Sequence, residues 1–151
     1  MDESEYREIY HSVNNLRCCF EKAILTHRFS CKNLVKIMIA DREGVGCSDQ
    51  PAQEACHHLL DLIRKNATFV LKTSPSGGQL PHAKEIRVQC GGMIGIYHAL
   101  KPDMEIPAGV EDIFGLIQEA GASYNGVDNL PYNDIIKTLS QFEGRKKRRR
   151  K

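Results

Sequence analysis

The chain has 151 residues, of which 41% are hydrophobic and 26% charged, with a formal net charge of +2. This composition is typical of a soluble globular fold. No stretch approaches the ~18 apolar residues of a membrane-spanning helix, and the acidic N-terminus lacks the features of a signal peptide. We therefore expect no membrane partner, a location in the nucleus and/or cytoplasm, and cysteines that are thiols or metal ligands rather than disulfides.

The first half of the chain predicts three helices. Apolar residues at helical spacing predict one over 2–27 and a second over 31–42, whose apolar surface covers more than half of its circumference. Ser48 or Asp49 would cap a third helix, which has a proline in its first turn and runs to about Asn66.

The middle of the chain is ambiguous. Residues 68–71 fit either a helix extension or a strand, 86–90 alternate as a strand does, and 93–100 fit a strand or a short helix. We therefore predict a mainly helical α+β fold, with about five helices and a small β-meander near residues 68–100. An all-α helical bundle is the alternative.

The C-terminal part predicts helices over 109–120 and from Pro131 to Gly144, followed by a run of basic residues. This run consists of Arg145, Lys146, Lys147, Arg148, Arg149, Arg150 and Lys151. The chain has 21 Lys and Arg residues and 19 Asp and Glu residues. Without the seven basic residues of this run, the rest of the chain has 14 basic and 19 acidic residues, a net charge of −5. The positive charges of this run repel each other, so we predict a disordered basic tail over 144–151. The rest of the chain, 1–143, is predicted to form one compact domain.

The basic tail is the strongest functional signal in the sequence. Contiguous cations attract nucleic-acid phosphates through counterion release, and they also form nuclear-import signals. The leading hypothesis is a non-enzymatic regulatory or accessory protein, of viral or nuclear type, whose tail binds nucleic acid or an import receptor. With 7% aromatic residues and no tryptophan, we expect a thin base-stacking surface and no sequence-specific readout. The alternative is a helical protein–protein adaptor whose tail serves only localisation or solubility.

The outer face of the first predicted helix is a second candidate site. At 100° per residue, one side of this helix carries Arg7, His11, Cys18, Lys22 and Leu25. An outward-facing cysteine and leucine among bases suggest a contact surface for a protein partner or a homodimer. Scattered surface residues are the competing interpretation. A solvent-facing Cys18 should react faster with thiol reagents than Cys31 or Cys56.

Cysteine chemistry raises two further hypotheses. Structural zinc needs four thiolate or imidazole ligands, usually including a closely spaced pair. Cys47 and His57 are the best-placed ligands, but the long gaps between cysteines favour no bound metal or other cofactor. Cys90 lies before two glycines, and with His82 or His98 as base it would suit a cysteine-dependent enzyme, the third hypothesis.

The loop over 74–81 contains two glycines but lacks the Lys-Ser/Thr pair of a Walker loop. Lys84 and Arg87 follow it and are candidate phosphate contacts. A plain connecting loop is the favoured interpretation.

Overall fold

The computed structural model describes residues 2–74 and 79–142, so the predicted basic tail lies outside the described residues. In chain order, the elements are α1 (Glu3–Val13), α2 (Glu21–Ile24), β1 (Leu34–Ile39), β2 (Arg42–Cys47), α3 (Gln50–Asn66), α4 (Thr68–Leu71), α5 (His82–Ile86), α6 (Gly92–Leu100), α7 (Ile113–Ser123) and α8 (Tyr132–Gln141). A π-helical turn, Arg87–Gly91, joins α5 to α6, and a 3-10 turn, Val127–Asn129, precedes α8. The mainly helical α+β class is confirmed.

The hydrophobic core lies between α3, α6, α7 and α8. Leu59, Leu60 and Ile63, on the inner face of α3, have no exposed surface. Helices α6 and α8 approach each other closely because Gly95 has no side chain. A Cβ at Gly95 would lie 2.8 Å from the carbonyl oxygen of Ile135.

The predicted continuous helix over 2–27 is wrong, because α1 ends at Val13 and only the short α2 follows. Asn14 explains the break. Its Nδ2 atom donates hydrogen bonds to the carbonyl oxygen of Val45, at 3.0 Å, and to the Tyr10 hydroxyl, at 3.1 Å. The buried amide therefore ties the end of α1 to β2, and the chain turns away from the helix axis.

The second predicted helix, over 31–42, is also wrong, because this stretch forms β1 of an antiparallel hairpin. Ile39 pairs with Arg42 across a two-residue loop in which Ala40 has a φ of 56°. Helix α1 covers one face of the hairpin. A Cβ at Gly44 would lie 3.0 Å from Cε2 of Tyr10, so the small residue permits this close packing.

The predicted β-meander near residues 68–100 is helical in the structure, and the two strands lie at 34–47 instead. Gly91 and Gly92 do not separate two strands. They lie instead within the continuous helical run from α5 through the π-helical turn to α6. The predicted helices over 109–120 and 131–144 correspond to α7 and α8, with shifted ends.

Candidate anion-binding groove

A polar groove of about 810 Å³ lies between α2, α3, α4 and α5. Its described lining contains six basic side chains, those of Arg17, Lys22, Arg64, Lys65, Lys72 and Lys84. It also contains three carboxylates, those of Glu21, Asp61 and Glu85. How these charges are paired decides which sign the groove presents to a ligand.

The ion pair between Arg64 and Glu85 forms the floor of the groove. Nε of Arg64 lies 2.8 Å from Oε1 of Glu85, and Nη1 lies 3.0 Å from Oδ1 of Asp61. Burial opposes the charge on Arg64, but the hydrogen bonds to Glu85 and Asp61 raise the pKa of its guanidinium. Two of the three acids are therefore occupied by one arginine.

The third acid, Glu21, is buried and is held by partners beside the groove. Its Oε2 atom accepts hydrogen bonds from the Tyr10 hydroxyl, at 2.6 Å, and from the amide of Val45, at 2.8 Å. Its Oε1 atom lies 3.2 Å from Nη2 of Arg17. Burial, together with the hydrogen bond to Glu21, raises the pKa of Tyr10.

Four lysines remain at the rim, and within residues 2–74 and 79–142 none of them has an acidic partner. Lys65 and Lys72 are exposed, whereas Lys22 and Lys84 are half-buried. Nζ of Lys22 lies 2.7 Å from Nδ1 of His82, and Nζ of Lys84 lies 3.5 Å from the carbonyl oxygen of Lys72. The charge available to a ligand is therefore positive.

The residues of the predicted outer helix face are separated, because residues 14–20 are not helical. Arg7 and His11 lie exposed on α1, whereas Lys22 lines the groove. Leu25 packs against the core. Cys18 is half-buried and lines a small cavity as well as the groove, and burial raises its pKa to about 12.

That cavity, of about 20 Å³, adjoins the groove and is lined by five of the six cysteines. These are Cys18, Cys19, Cys31, Cys47 and Cys56. The Cys19 thiol lies 3.4 Å from the Gln53 carbonyl oxygen, and the Cys47 thiol lies 3.2 Å from that of Asp49. Each thiol is placed to donate a hydrogen bond to that oxygen.

Of the two predicted zinc ligands, Cys47 lines the cavity and His57 lines the groove. In the described part of the chain, no three His, Cys, Asp or Glu side chains are placed to hold a metal ion. Cys90 has no exposed surface, and burial raises its pKa to about 11. A buried, protonated thiol does not suit a nucleophile.

Sequence patterns identified only part of the groove. Lys84 was a candidate phosphate contact, and it does line the groove, whereas Arg87 donates to the carbonyl oxygen of Ser140 at 3.0 Å. Lys65 and Lys72 were missed, because they belong to two successive helices, Lys65 near the end of α3 and Lys72 at the left-handed cap of α4.

No protein-family model matches the chain, and neither a curated protein nor a solved structure matches it. Within the described ranges, no helix combines the length and apolar character needed to cross a membrane. Charge, geometry and exposure of the described residues are thus the basis for inferring a function.

Proposed function

We propose that the protein is a non-enzymatic regulatory or accessory protein that binds nucleic acid through its phosphates. The observation that carries this proposal is the groove rimmed by Lys22, Lys65, Lys72 and Lys84 without acidic partners. The basic run over 145–151 adds a second cationic segment. A chain whose other residues carry a net negative charge thus concentrates positive charge at two places.

The pairing of charges within the groove leaves its lysines available to phosphate groups. Lysine ammonium groups act as point charges that contact phosphates without reading bases. Each acid in the groove already has a basic partner, so a phosphate would not have to displace an acid from a lysine. Clustered charge in a concave surface also speeds the association of a polyanion.

The test is binding of a short, fluorescently labelled oligonucleotide by anisotropy, using the full chain. In the groove variant, Lys22, Lys65, Lys72 and Lys84 are each replaced by Gln. The matched control replaces Lys32, Lys36, Lys101 and Lys137, which do not line the groove, with the same change in net charge. We expect the groove variant to bind much more weakly than the control. Equal losses would mean that only net charge matters and would contradict a groove site.

The basic tail also suits an import receptor, so we propose nuclear as well as cytoplasmic residence. Replacing residues 145–151 with Ser and Gly should move a reporter fusion from the nucleus to the cytoplasm. An unchanged distribution would leave the tail with nucleic-acid binding only. Unchanged oligonucleotide binding as well would reduce the tail to a solubility device.

A second candidate function, a protein–protein adaptor, is favoured by the outer edge of β1. Within the described residues, β1 pairs only with β2. Ile39 and Arg42 close a two-residue loop and therefore form a hydrogen-bonded pair. Hydrogen-bonded and non-hydrogen-bonded pairs alternate along an antiparallel ladder, so the N–H and C=O groups of Lys36 and Met38 point away from β2. Met38 is also 54% exposed. Such an edge is a template for another strand, and we propose a second copy of the chain as its occupant.

The register of that pairing is restricted by Lys36. Placing Lys36 opposite its own copy would set like charges together, which destabilises a strand pair. A register that sets Ile37 of one copy opposite Ile37 of the other avoids this repulsion. Lys36 of each copy then lies opposite Met38 of the other. The two edges are then related by a two-fold axis, as in most homodimers.

Sedimentation across a range of protein concentrations tests the dimer. Met38→Pro removes an outward N–H and spares the bonds to β2, whereas Met38→Ala keeps that N–H. We expect Met38→Pro to be monomeric and Met38→Ala to dimerise. A wild-type chain that stays monomeric at all concentrations would contradict this candidate.

A further inference from the structure

Phe69, on α4, is 94% exposed, far more than any other large hydrophobic side chain described. The next most exposed, Met104, is 58% exposed. Hydrophobic residues scattered over a surface are normal. A phenylalanine that is almost fully exposed, in a segment beside a charged groove, instead suggests a contact with a binding partner.

Phe69 lies between two rim lysines in the sequence. Lys65, four residues earlier, lies near the end of α3, and Lys72, three residues later, is the left-handed C-cap of α4. Both lysines line the groove, as does the adjacent Thr68. The exposed aromatic ring therefore belongs to a short segment whose neighbouring residues line the groove.

The turn that carries Phe69 is anchored. Leu71 is only 2% exposed, and its amide donates to the carbonyl oxygen of Ala67 at 2.9 Å. Lys72 caps the helix with a φ of 54°, and its amide lies 3.3 Å from the carbonyl oxygen of Phe69. The ring is thus presented to solvent by a fixed segment of main chain.

We propose that the groove takes single-stranded nucleic acid and that Phe69 stacks on one of its bases. This proposal rests on the proposed binding of nucleic acid and narrows its ligand. Single strands expose the faces of their bases, and an aromatic side chain beside cations is the usual way to hold them without sequence preference. In a duplex those faces are covered. Lysine is depleted at protein interfaces, so the two flanking lysines favour nucleic acid over a protein partner.

The first test compares single-stranded and double-stranded oligonucleotides of the same length. Phe69→Leu should weaken single-strand binding about 5- to 100-fold, with a similar loss at every salt concentration, because stacking does not depend on counterion release. Duplex binding should change little. Lys65→Gln should instead flatten the salt dependence. Met104→Leu, a control at another exposed hydrophobic position, should leave both unchanged.

The second test uses the absence of tryptophan from the chain. Phe69→Trp introduces the only indole, so its fluorescence reports directly on this position. We expect strong quenching by a saturating single strand and little change with duplex. If wild-type binding is retained while Phe69→Leu has no effect and the indole signal does not change, stacking is overturned but phosphate binding stands. If the wild-type chain binds no oligonucleotide at all, the proposed function itself fails.

Discussion

The ion pair between Arg64 and Glu85, with Nε 2.8 Å from Oε1, joins α3 to α5 beneath the groove. Its position in the sequence matters as much as its charge. Lys65 directly follows Arg64, and Lys84 directly precedes Glu85. The Arg64–Glu85 ion pair has no net charge. By joining the two helices, it places Lys65 and Lys84, which have no acidic partner among the described residues, on the lining of the same groove.

Glu85→Gln should destabilise the fold by about 2 kcal/mol, because it leaves a part-buried guanidinium without its main counter-charge. Asp61→Asn is the matched control, since the Asp61 side chain is 72% exposed and an exposed ion pair contributes about 0.2–1 kcal/mol. Urea denaturation gives both free energies of unfolding. Equal losses for the two variants would show that the floor pair has no special structural role.

Gly46→Ala should cost about 1–3 kcal/mol in the free energy of unfolding, because the added methyl overpacks the contact between β2 and the segment that follows α1. A Cβ there would lie 2.8 Å from Oδ1 of Asn14 and 3.3 Å from the carbonyl oxygen of Leu16. At Gly121, on α7, the nearest atom would be 3.9 Å away. Gly121→Ala should be neutral or gain up to ~1 kcal/mol from helix propensity. If chemical denaturation shows equally small changes in the free energy of unfolding for both variants, the close contact at Gly46 is contradicted.

Cys18 should react slowly with a thiol reagent at neutral pH, which reverses the expectation from the sequence. Burial raises its pKa to about 12, and the pKa of Cys56 is raised for the same reason, so both thiols are protonated in the folded protein. Only the thiolate is nucleophilic. Mass spectrometry after timed labelling should show both residues labelled slowly, and quickly once the chain is unfolded. Labelling of Cys18 at the rate of a free small thiol would contradict its place in the cavity.

Stability should decrease in alkaline solution, because burial raises the pKa of Cys19 to about 12 and that of Cys90 to about 11, from a reference of 9.0. Below the unfolded-state pKa, both states hold the proton and the stabilisation is fully present. As pH rises from about 9 towards the folded-state values, the unfolded chain releases protons first, so the free energy of unfolding falls. Melting temperatures across this range measure the effect. A flat profile would show that these thiols ionise equally well in the folded state.

The sequence predicted α3 well because local signals agreed there. A cap, a first-turn proline and regularly spaced apolar residues all favour a helix from Gln50 to Asn66. The hairpin was missed because the apolar run over 34–39 fits a buried helix as well as a strand. The helix over 2–27 was overextended because its break depends on bonds from Asn14 to Val45, 31 residues away.

The groove could not be predicted from any local pattern, because Lys22, Lys65 and Lys84 are far apart in the chain. Lys65 and Lys72 are only seven residues apart, but the break between α3 and α4 separates them. Phe69 was read as part of an ambiguous apolar segment, and its exposure depends on which side of α4 faces the core. The thiol cavity likewise gathers cysteines from separate elements, so their long sequence gaps concealed the cluster.

The salt dependence of single-strand binding by a chain with a neutral tail tests the central claim most directly. With residues 145–151 replaced by Ser and Gly, only the groove lysines remain as the proposed phosphate contacts. Each phosphate neutralised on a single strand contributes about −0.7 to the slope of log K against log salt concentration. With three or four such contacts, the slope should be roughly −2 to −3. Replacing Lys22, Lys65, Lys72 and Lys84 by Gln in this background should bring the slope close to zero. If the neutral-tail chain shows no salt-dependent binding, the groove does not bind nucleic acid.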